Sequence, residues 1–510
     1  MTETSSNLFI RLDPQDNVVV ARTKVEPGIF VATEGVTTQQ EVPAGHKIAA
    51  RVLQKGDPIL KYKTVIGYAK EETKPGTWMH SHNIEFQDVI KDYRWGEDFR
   101  PVNLIEPLER ATFEGIVRED GRVATRNYIG IFVVAHSSAT VARKIASWFD
   151  ANRLSNYPQI DGVVPFVHDQ GSGTERSGEA LALLHRTLGG YIEHPNIAAS
   201  LIIGQDIDRA DIRAFLDSQN IVIGDTVGAL SVSASGGTKK AIEAGIDIIQ
   251  NMLVNANRAQ RQRVSAEHIK IGLQCGGSDG FSGLSANPAL GVAMDILVRN
   301  GGTAVLSETS EIYGVEHTLT SRAATPNIGK KLVERINWWL DYNKGRDTQI
   351  NGRVSPGNNA GGLANVLEKS LGGAKKGGNS PLMEVYQYAE RINTHGLVFM
   401  DTPGYDPVSV TGQIAGGANL ICFTTGRGSC FGSVPAPTIK LASNTPMYRR
   451  MSADMDINCG VVIDGDATLE KMGQEIFERI LQHASGTPTC SEAIGVGLNE
   501  FVPWPIGTTD

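Results

Sequence analysis

Five short segments set reactive or anion-gripping side chains at the ends of apolar runs: His136-Ser137-Ser138, His168-Asp169-Gln170, Cys275-Gly276-Gly277-Ser278-Asp279, Asp401 to Asp406, and Arg427 to Cys430. In open parallel sheets ligands collect at the carboxyl ends of the strands, so such loops in two neighbouring units predict one polar cleft. The glycines of "CGGSDGFSG" would let backbone N–H groups of Gly276, Gly277 and Ser278 approach an anion at the start of the next helix. The loop is not a dinucleotide fingerprint, because its spacing fails G-x-G-x-x-G, nor a Walker A loop, because it lacks Gly-Lys-Ser/Thr. A carboxylate suits it as well as a phosphate does. Arg122 and Arg126, in "DGRVATRN", could grip a carboxylate with guanidinium forks or lie on a solvated face. His80 and His82 are two apart, and on a strand their rings would share one side, the start of a metal site with no third ligand in view. "VVPFVHDQGSG", around His168, stays open between a catalytic corner and a strand turning into a helix through Gly and Ser.

These loops need rigid elements behind them. Residues 1–95 read as short β-branched strands, "NVVVART", "HKIAARVL" and "TVIGYAK", between Pro- and Gly-containing turns, which predicts a small all-β domain. A mixed-charge, proline-containing linker covers 96–111. From 112 to 264 apolar runs alternate with helical patterns: "YIGIFVVA" with "TVARKIASWFD", "DGVVPFV" with "GEALALLHRTLGGYI", "AASLIIG" with "DRADIRAFLDS", and "NIVIGD" with "GTKKAIEAGIDIIQNML". A second series fills 265–510, with "IKIGLQ", "ANPALGVAMDILVRNGG", "TAVLSE", "GLVFMD", a short helix "TGQIAGGA" and "NLICFTTGRGSCFG". Alternation of this kind implies βαβ units and mainly parallel sheets. The expected fold class is therefore α/β, a small all-β N-terminal domain followed by two Rossmann-like α/β domains. Within the last, "SPGNNAGGLANVLEKSLGGAKKGGNSPL" is Gly- and Lys-rich and reads as an active-site flap or a solvated surface loop. The two tryptophans of "KLVERINWWLDY" read as core packing.

At 510 residues the chain is too long for one ordinary core. A net charge of −8 argues against nucleic-acid and anionic-membrane partners, which require a basic footprint, but leaves room for a small acidic substrate. No apolar stretch reaches membrane-spanning length, and "MTETSSNLFIRLD" lacks the plan of a signal peptide. The five cysteines are odd in number with no close pair spacing, so a disulfide framework is not expected and a cytoplasmic location is. Homo-oligomerisation is left open.

Taken together, the motifs resemble the altronate/galactarate dehydratase family over essentially the whole chain. The strings that carry the resemblance are "GHKIA", "IGYA" and "HSHN" in the β domain, then "DGRVATRNYIGI". They continue with "GLQCGGSDGFSGLSANPALG", "SETSEIYGVEH", "SPGNNAGGLANVLEKSLG", "FMDTPGYDPVSVTGQIAGGANLICFTTGRG" and "MDINCG". "HSHN" is similar to the altronate branch. The resemblance implies an SAF-type, β-clip-like N-terminal module and dehydration of a sugar acid such as altronate to a 2-keto-3-deoxy acid, aided by a divalent metal, Fe2+ or Mn2+. In such chemistry a base removes the proton beside the carboxylate, a cation or hydrogen-bond donors stabilise the enediolate, and an acid helps hydroxide leave. On that resemblance His168, Asp169, Cys275 and Asp279 are the candidates for proton transfer or ligation. Arg122, Arg126, Asn127, Gly276, Gly277, Ser278 and Arg427 are the candidates for the substrate, and His80 and His82 for the metal.

The chain also departs from its family. Relatives usually carry cysteines in three loops where this sequence has Ser137, Ser172 and, in an ungapped match, Ile207. Three thiolates at neighbouring strand ends would make a soft-metal or iron–sulfur site. Serine is a poor replacement ligand, so an iron–sulfur cluster is not expected and a harder ion held by His and Asp is. Two further readings stand beside dehydration. One is another carbon–oxygen or carbon–sulfur lyase or an epimerase on a hydroxy acid, as in relatives that resemble sulfolactate sulfo-lyases. The other is a non-catalytic protein that binds sugar acids.

Overall fold

The computed structural model describes residues 8–87, 93–171, 177–205, 211–346 and 354–506, so Ser172 and Ile207 lie outside the described residues. Residues 8–87 form only strands and turns, in three small antiparallel sheets. One orders Phe9–Ile10, Val18–Ala21, Lys47–Ala49 and Trp78–Met79; another orders Pro58–Lys61, Thr64–Ala69 and Ile84–Glu85. Lys61 pairs with Thr64 across a two-residue turn, Tyr62 and Lys63, with φ of 53° and 59°. A turn with both central residues left-handed matches the twist of its strands, and it leaves Lys61 at a fixed strand end.

Two parallel sheets follow. The smaller orders Gly162–Phe166, Tyr128–Val133, Ile197–Gly204 and Val227–Ser231, flanked by the helices Ala139–Trp148, Glu179–Ile192 and Thr238–Ala256. An antiparallel ribbon brackets it, because Thr112–Val117 pairs with both Val123–Ala124 and Arg261–Ser265. The expected strand at "NIVIGD" does not form. Asn220, at φ 55°, ends the helix Asp211–Gln219, the chain then runs along the surface with Val222 and Ile223 exposed, and pairing starts at Val227.

The larger sheet has seven parallel strands in the order Leu382–Tyr386, Gly396–Met400, Thr303–Leu306, Lys270–Cys275, Leu420–Thr425, Thr438–Ala442 and Ile457–Asn458. Its central strands are buried along nearly their whole length, as a parallel sheet covered on both faces requires. The helix Ala286–Arg299 packs against Leu469–Ala484 on one face, and Asp406–Ala415 joins the two units by packing on Glu179–Ile192. Phe166, Tyr191 and Phe501 stack edge to face across that junction. Trp339 stacks on Trp504 in the core, as expected for the paired tryptophans.

The Gly- and Lys-rich segment is neither flap nor loop over most of its length. It forms the helices Pro356–Ala360 and Val366–Lys375, each started by a polar cap: Ser355 Oγ accepts from Asn358 N–H, and Asn365 Oδ1 from Glu368 N–H. Val366, Leu367, Leu371 and Ala374 bury one face of the second helix. Gly373 lets that face close on the neighbouring turn, since a Cβ there would stand 2.9 Å from the Glu311 carbonyl oxygen. Of "TGQIAGGA", only Thr411 to Ala415 are helical, as the end of a longer helix, Asp406–Ala415.

Candidate active site

The carboxyl ends of the central strands converge on one buried cluster. Lys270–Cys275 ends in Cys275, Thr303–Leu306 runs into Glu308 and Glu311, Gly396–Met400 leads to Asp406, and Val366–Lys375 carries Lys369 and delivers Lys376. The Cys275 thiol donates to Glu311 Oε2 at 3.0 Å, and Lys376 Nζ stands 3.0 Å from Cys275 Sγ and 3.0 Å from Glu308 Oε2. Lys369 Nζ holds the other Glu311 oxygen at 2.6 Å. Cys275, Glu308, Glu311 and Lys376 are all buried.

Within this cluster Glu308 is unusual in three ways. Its backbone is left-handed, with φ 66°, a conformation that a non-glycine residue keeps only when its surroundings fix it. Its Oε1 is buried without a hydrogen-bond partner among the described residues. Burial, reinforced by the charge of Glu311, pushes its pKa up to about 8. Glu311 goes the other way: burial opposes its charge, but Lys369 and Lys376 outweigh that and hold it below the ordinary carboxylate range. Burial pushes the Asp406 carboxyl up to about 6 and the Cys275 thiol well above its usual value. Burial opposes the charge of Lys376, but its contacts with Cys275 and Glu308 and the charge of Glu311 raise it above the ordinary lysine value. Asp406 reaches the loop after Cys275 because position 276 is glycine; a Cβ there would lie 2.6 Å from Asp406 Oδ2.

The loop after Cys275 turns toward the N-terminal β region. Asp279 is buried and fully used, with Oδ1 accepting from Ser282 N–H and Oγ and from Ser443 Oγ, and Oδ2 from Asn444 Nδ2, at 2.8–3.0 Å. It braces the loop. Arg427, at the exposed rim, donates to Asn358 Oδ1 at 3.0 Å, and its backbone N–H donates to the Gly277 carbonyl. From the β region, Lys47 and Lys61 both reach Glu368, each at 2.8 Å, and all three are buried. The ion pairs overcome burial and hold Glu368 far below the ordinary range, while burial lowers Lys47. A cavity of about 10 Å³, enough for one water, lies between this triad and the cluster, lined by Lys61, Cys275, Ser278, Asp279, Glu368 and Lys369.

The structure therefore brings together Cys275, Gly276, Gly277, Ser278, Asp279 and Arg427, and sets the other expected residues elsewhere. His168 donates from Nε2 to the Val133 carbonyl at 3.0 Å and accepts the Gln170 N–H at Nδ1, so both ring nitrogens are engaged. Burial lowers it to about 4, the behaviour of a neutral structural histidine rather than a base open to substrate. Asp169 is exposed, 3.8 Å from His136. Arg126 spends its guanidinium on Glu492 at 2.7 and 2.8 Å and on the carbonyls of Thr125, His483 and Thr487. Arg122 pairs with Asp120, and Asn127 with Arg118 and the carbonyls of Gln159 and Ala256. These three lie at the opposite strand ends. Thr125 touches Asn419, just before Leu420–Thr425, whereas Cys275 pairs with Thr424, roughly 16 Å along the strand.

The expectation of a strand at His80 and His82 also fails. Residues 80–83 form a turn, closed by His80 N–H on Asn83 Oδ1. His80 is buried between Trp78 and His46 and bonds to the Asn359 side chain, its Nδ1 having no partner among the described residues; His82 is exposed and packs on Trp78. The three residues grouped like metal ligands are instead Cys275, Glu308 and Glu311, with ligand atoms within 4.8 Å of one another. Glu308, Glu311, Lys369 and Lys376 are missing from the sequence-derived site, although the strings "SETSEIYGVEH" and "EKSLGGAKK" contain them. A strand end followed by two acids three apart was the available signal.

A β module closed by buried lysines over an α/β unit whose acids, ammonium groups and thiol meet at the strand ends is equipped for acid–base chemistry on a small molecule. No described helix is long and apolar enough to cross a membrane. The chain belongs to the galactarate/altronate dehydratase family. Three family models cover it in succession: the altronate/galactarate dehydratase SAF domain at 7–87, the D-galactarate dehydratase/altronate hydrolase second domain at 115–257, and the D-galactarate/altronate dehydratase C-terminal model at 266–509. Galactarate dehydratase (L-threo-forming) of Escherichia coli is 33% identical over 99% of this chain and 98% of its own. Altronate dehydratase of the same species is 32% identical over 95% and 96%. The (2R)-sulfolactate sulfo-lyase β subunit of Chromohalobacter salexigens is 30% identical over 78% and 97%. The protein is accordingly a sugar-acid dehydratase by family.

Proposed function

We propose that this protein removes water from an aldonate or aldarate, such as altronate or galactarate, to give the 2-keto-3-deoxy acid, using Asp406 as base and Glu308 as acid. The observation that carries this reading is the state of Glu308: buried, backbone-strained, with one oxygen free and its proton retained near neutrality. Neighbouring carboxyls whose surroundings push their pKa values apart supply an acid and a base at one pH. Asp406, ionised above about pH 6, takes the proton beside the substrate carboxylate. Lys376 and the backbone N–H groups of Gly277 and Ser278 stabilise the enediolate, the Gly276 N–H being held by the Thr424 carbonyl. Glu308 protonates the departing β-hydroxide, water leaves, and the enol rearranges to the 2-keto acid. Lys61 and Lys47 outnumber Glu368, so the buried triad carries one positive charge more than it neutralises, and a substrate carboxylate beside Lys61 would balance it.

The family resemblance implies Fe2+ or Mn2+, and the donor set does not fit one in this arrangement. Lys376 lies 3.0 Å from both Cys275 Sγ and Glu308 Oε2, so its ammonium group stands where an ion would approach them. His80 is buried and His82 exposed beside Trp78, and neither belongs to a group of three ligating side chains among the described residues. No step is routed through a metal. The same reading takes 1–95, 112–264 and 265–510 as three domains, the latter two Rossmann-like, and the cytoplasm as the compartment, where Cys275 stays reduced.

The test is 2-keto acid formation from a panel of aldonic and aldaric acids by anaerobically purified protein, with and without chelator. Turnover that survives chelator and is lost in Glu308→Gln supports the reading. Turnover abolished by chelator overturns the lysine-based mechanism, and no product from any acid, with iron and manganese supplied, overturns the dehydration itself.

A further inference from the structure

We infer that the open cleft between the two α/β units, at the strand ends opposite Cys275, is a second binding site for a small anion carrying two acidic groups. The cleft has a volume of about 820 Å³ and is walled by the turn at 120–123, the end of Glu179–Ile192, residues 267–270 and the chain at 389–395. Clefts at unit boundaries are where small ligands most often bind. Its charges do not cancel locally. Asp120 is taken by Arg122 and Glu193 by Arg391, while Glu267 is drawn to Arg110 outside the cleft wall.

That leaves cations with capacity to spare. Lys270 Nζ donates only to the Ile392 carbonyl, and Arg186 Nη1 to the Tyr388 carbonyl, with no carboxylate paired to either among the described residues. Arg122 keeps one buried guanidinium nitrogen, Nη1, without a partner among the described residues. Burial, with Arg391 nearby, lowers Lys270 to about 8, the mark of a buried ammonium lacking a counter-ion. His194 on the floor is held neutral by burial and adds no charge. A desolvated cation without a partner is costly, and an arriving anion with two groups could satisfy Lys270 and an arginine together. Carboxylate and phosphate share this chemistry. The site is separate from the proposed reaction centre, yet Lys270–Cys275 is a single strand that begins in the cleft and ends in the cluster.

Titration calorimetry of the whole protein at constant ionic strength, with succinate and with inorganic phosphate as probes, tests this. Saturable binding is expected, kept in Glu308→Gln and weakened roughly tenfold or more in Lys270→Met and in Arg186→Met. Tighter succinate binding would mark a dicarboxylate ligand, tighter phosphate binding a phosphoryl one. Three results would overturn the inference: no saturable binding of either probe below roughly 10 mM, binding lost in Glu308→Gln, or binding undiminished in both cleft variants. Two cleft variants are used so that misfolding of one leaves the other decisive.

Discussion

Glu308 is a carboxylic acid kept protonated beside a carboxylate, and the two predictions at the residue scale follow from that. With Asp406 as base and Glu308 as acid, as proposed, activity is expected to fall as pH drops through about 6 and as it rises through about 8. Glu308→Gln is expected to lower kcat by roughly a hundredfold or more and to remove the alkaline limb from what remains; a pH–rate series over both variants checks it. Stability moves oppositely. Because the folded-state pKa of Glu308 is raised, folding gains from its retained proton below the unfolded value and loses that gain as pH rises through about 8. Glutamine cannot ionise, so melting at pH 9 should favour the variant relative to native protein more than melting at pH 5 does. Cys275 and the Asp401–Asp406 stretch were singled out from the sequence at strand ends, and Asp279, singled out with them, braces its loop instead. Glu308 was not, because its meaning depends on Lys376, 68 residues away, and on a left-handed backbone that no spacing announces. His168 misled for the same reason: a histidine at a strand end looks alike whether its ring faces substrate or two backbone groups.

At the scale of elements, the helix Val366–Lys375 does more than its composition suggests. Two glycines and two lysines read as a flexible flap, yet Asn365 caps the first turn, Glu368 accepts the Ala364 N–H, and the apolar face is buried. The helix is rigid because it is packed, and propensity alone underestimates that. Since it delivers Glu368, Lys369 and Lys376 together, loosening its start should be felt at the site. Asn365→Ala is expected to cost about 1 kcal/mol of stability, measured by denaturant unfolding, and to lower kcat/KM by more than that loss of folded protein explains. The alternation of apolar runs with helical patterns identified most parallel strands. It misplaced the one at "NIVIGD", where a β-branched run is spent on an exposed crossing and carries no pairing.

For the molecule as a whole, composition and motif order were enough to read a β region followed by α/β units, and the family models follow the same order. What the sequence could not show is that the β region supplies part of the floor of the site. Lys47 and Lys61 meet Glu368 more than 300 residues away, and such pairing leaves no local trace. Glu368→Gln would leave two buried ammonium groups facing a neutral amide and should destabilise the protein by roughly 3–5 kcal/mol, read from its thermal or denaturant midpoint. Lys61→Met keeps one ammonium for Glu368 and removes the surplus charge. Its expected effect is a KM raised roughly tenfold with kcat changed far less.

That triad also makes the seam between the two regions a matter of mutual recognition. Two cations on one side and a single carboxylate on the other form a charge-coded joint that neither piece satisfies alone. If residues 1–95 and 96–510 were produced as separate polypeptides, each would present an incomplete half of that code. Mixing them should restore turnover as a heterodimer, with salt slowing their encounter far more than it weakens the joined pair.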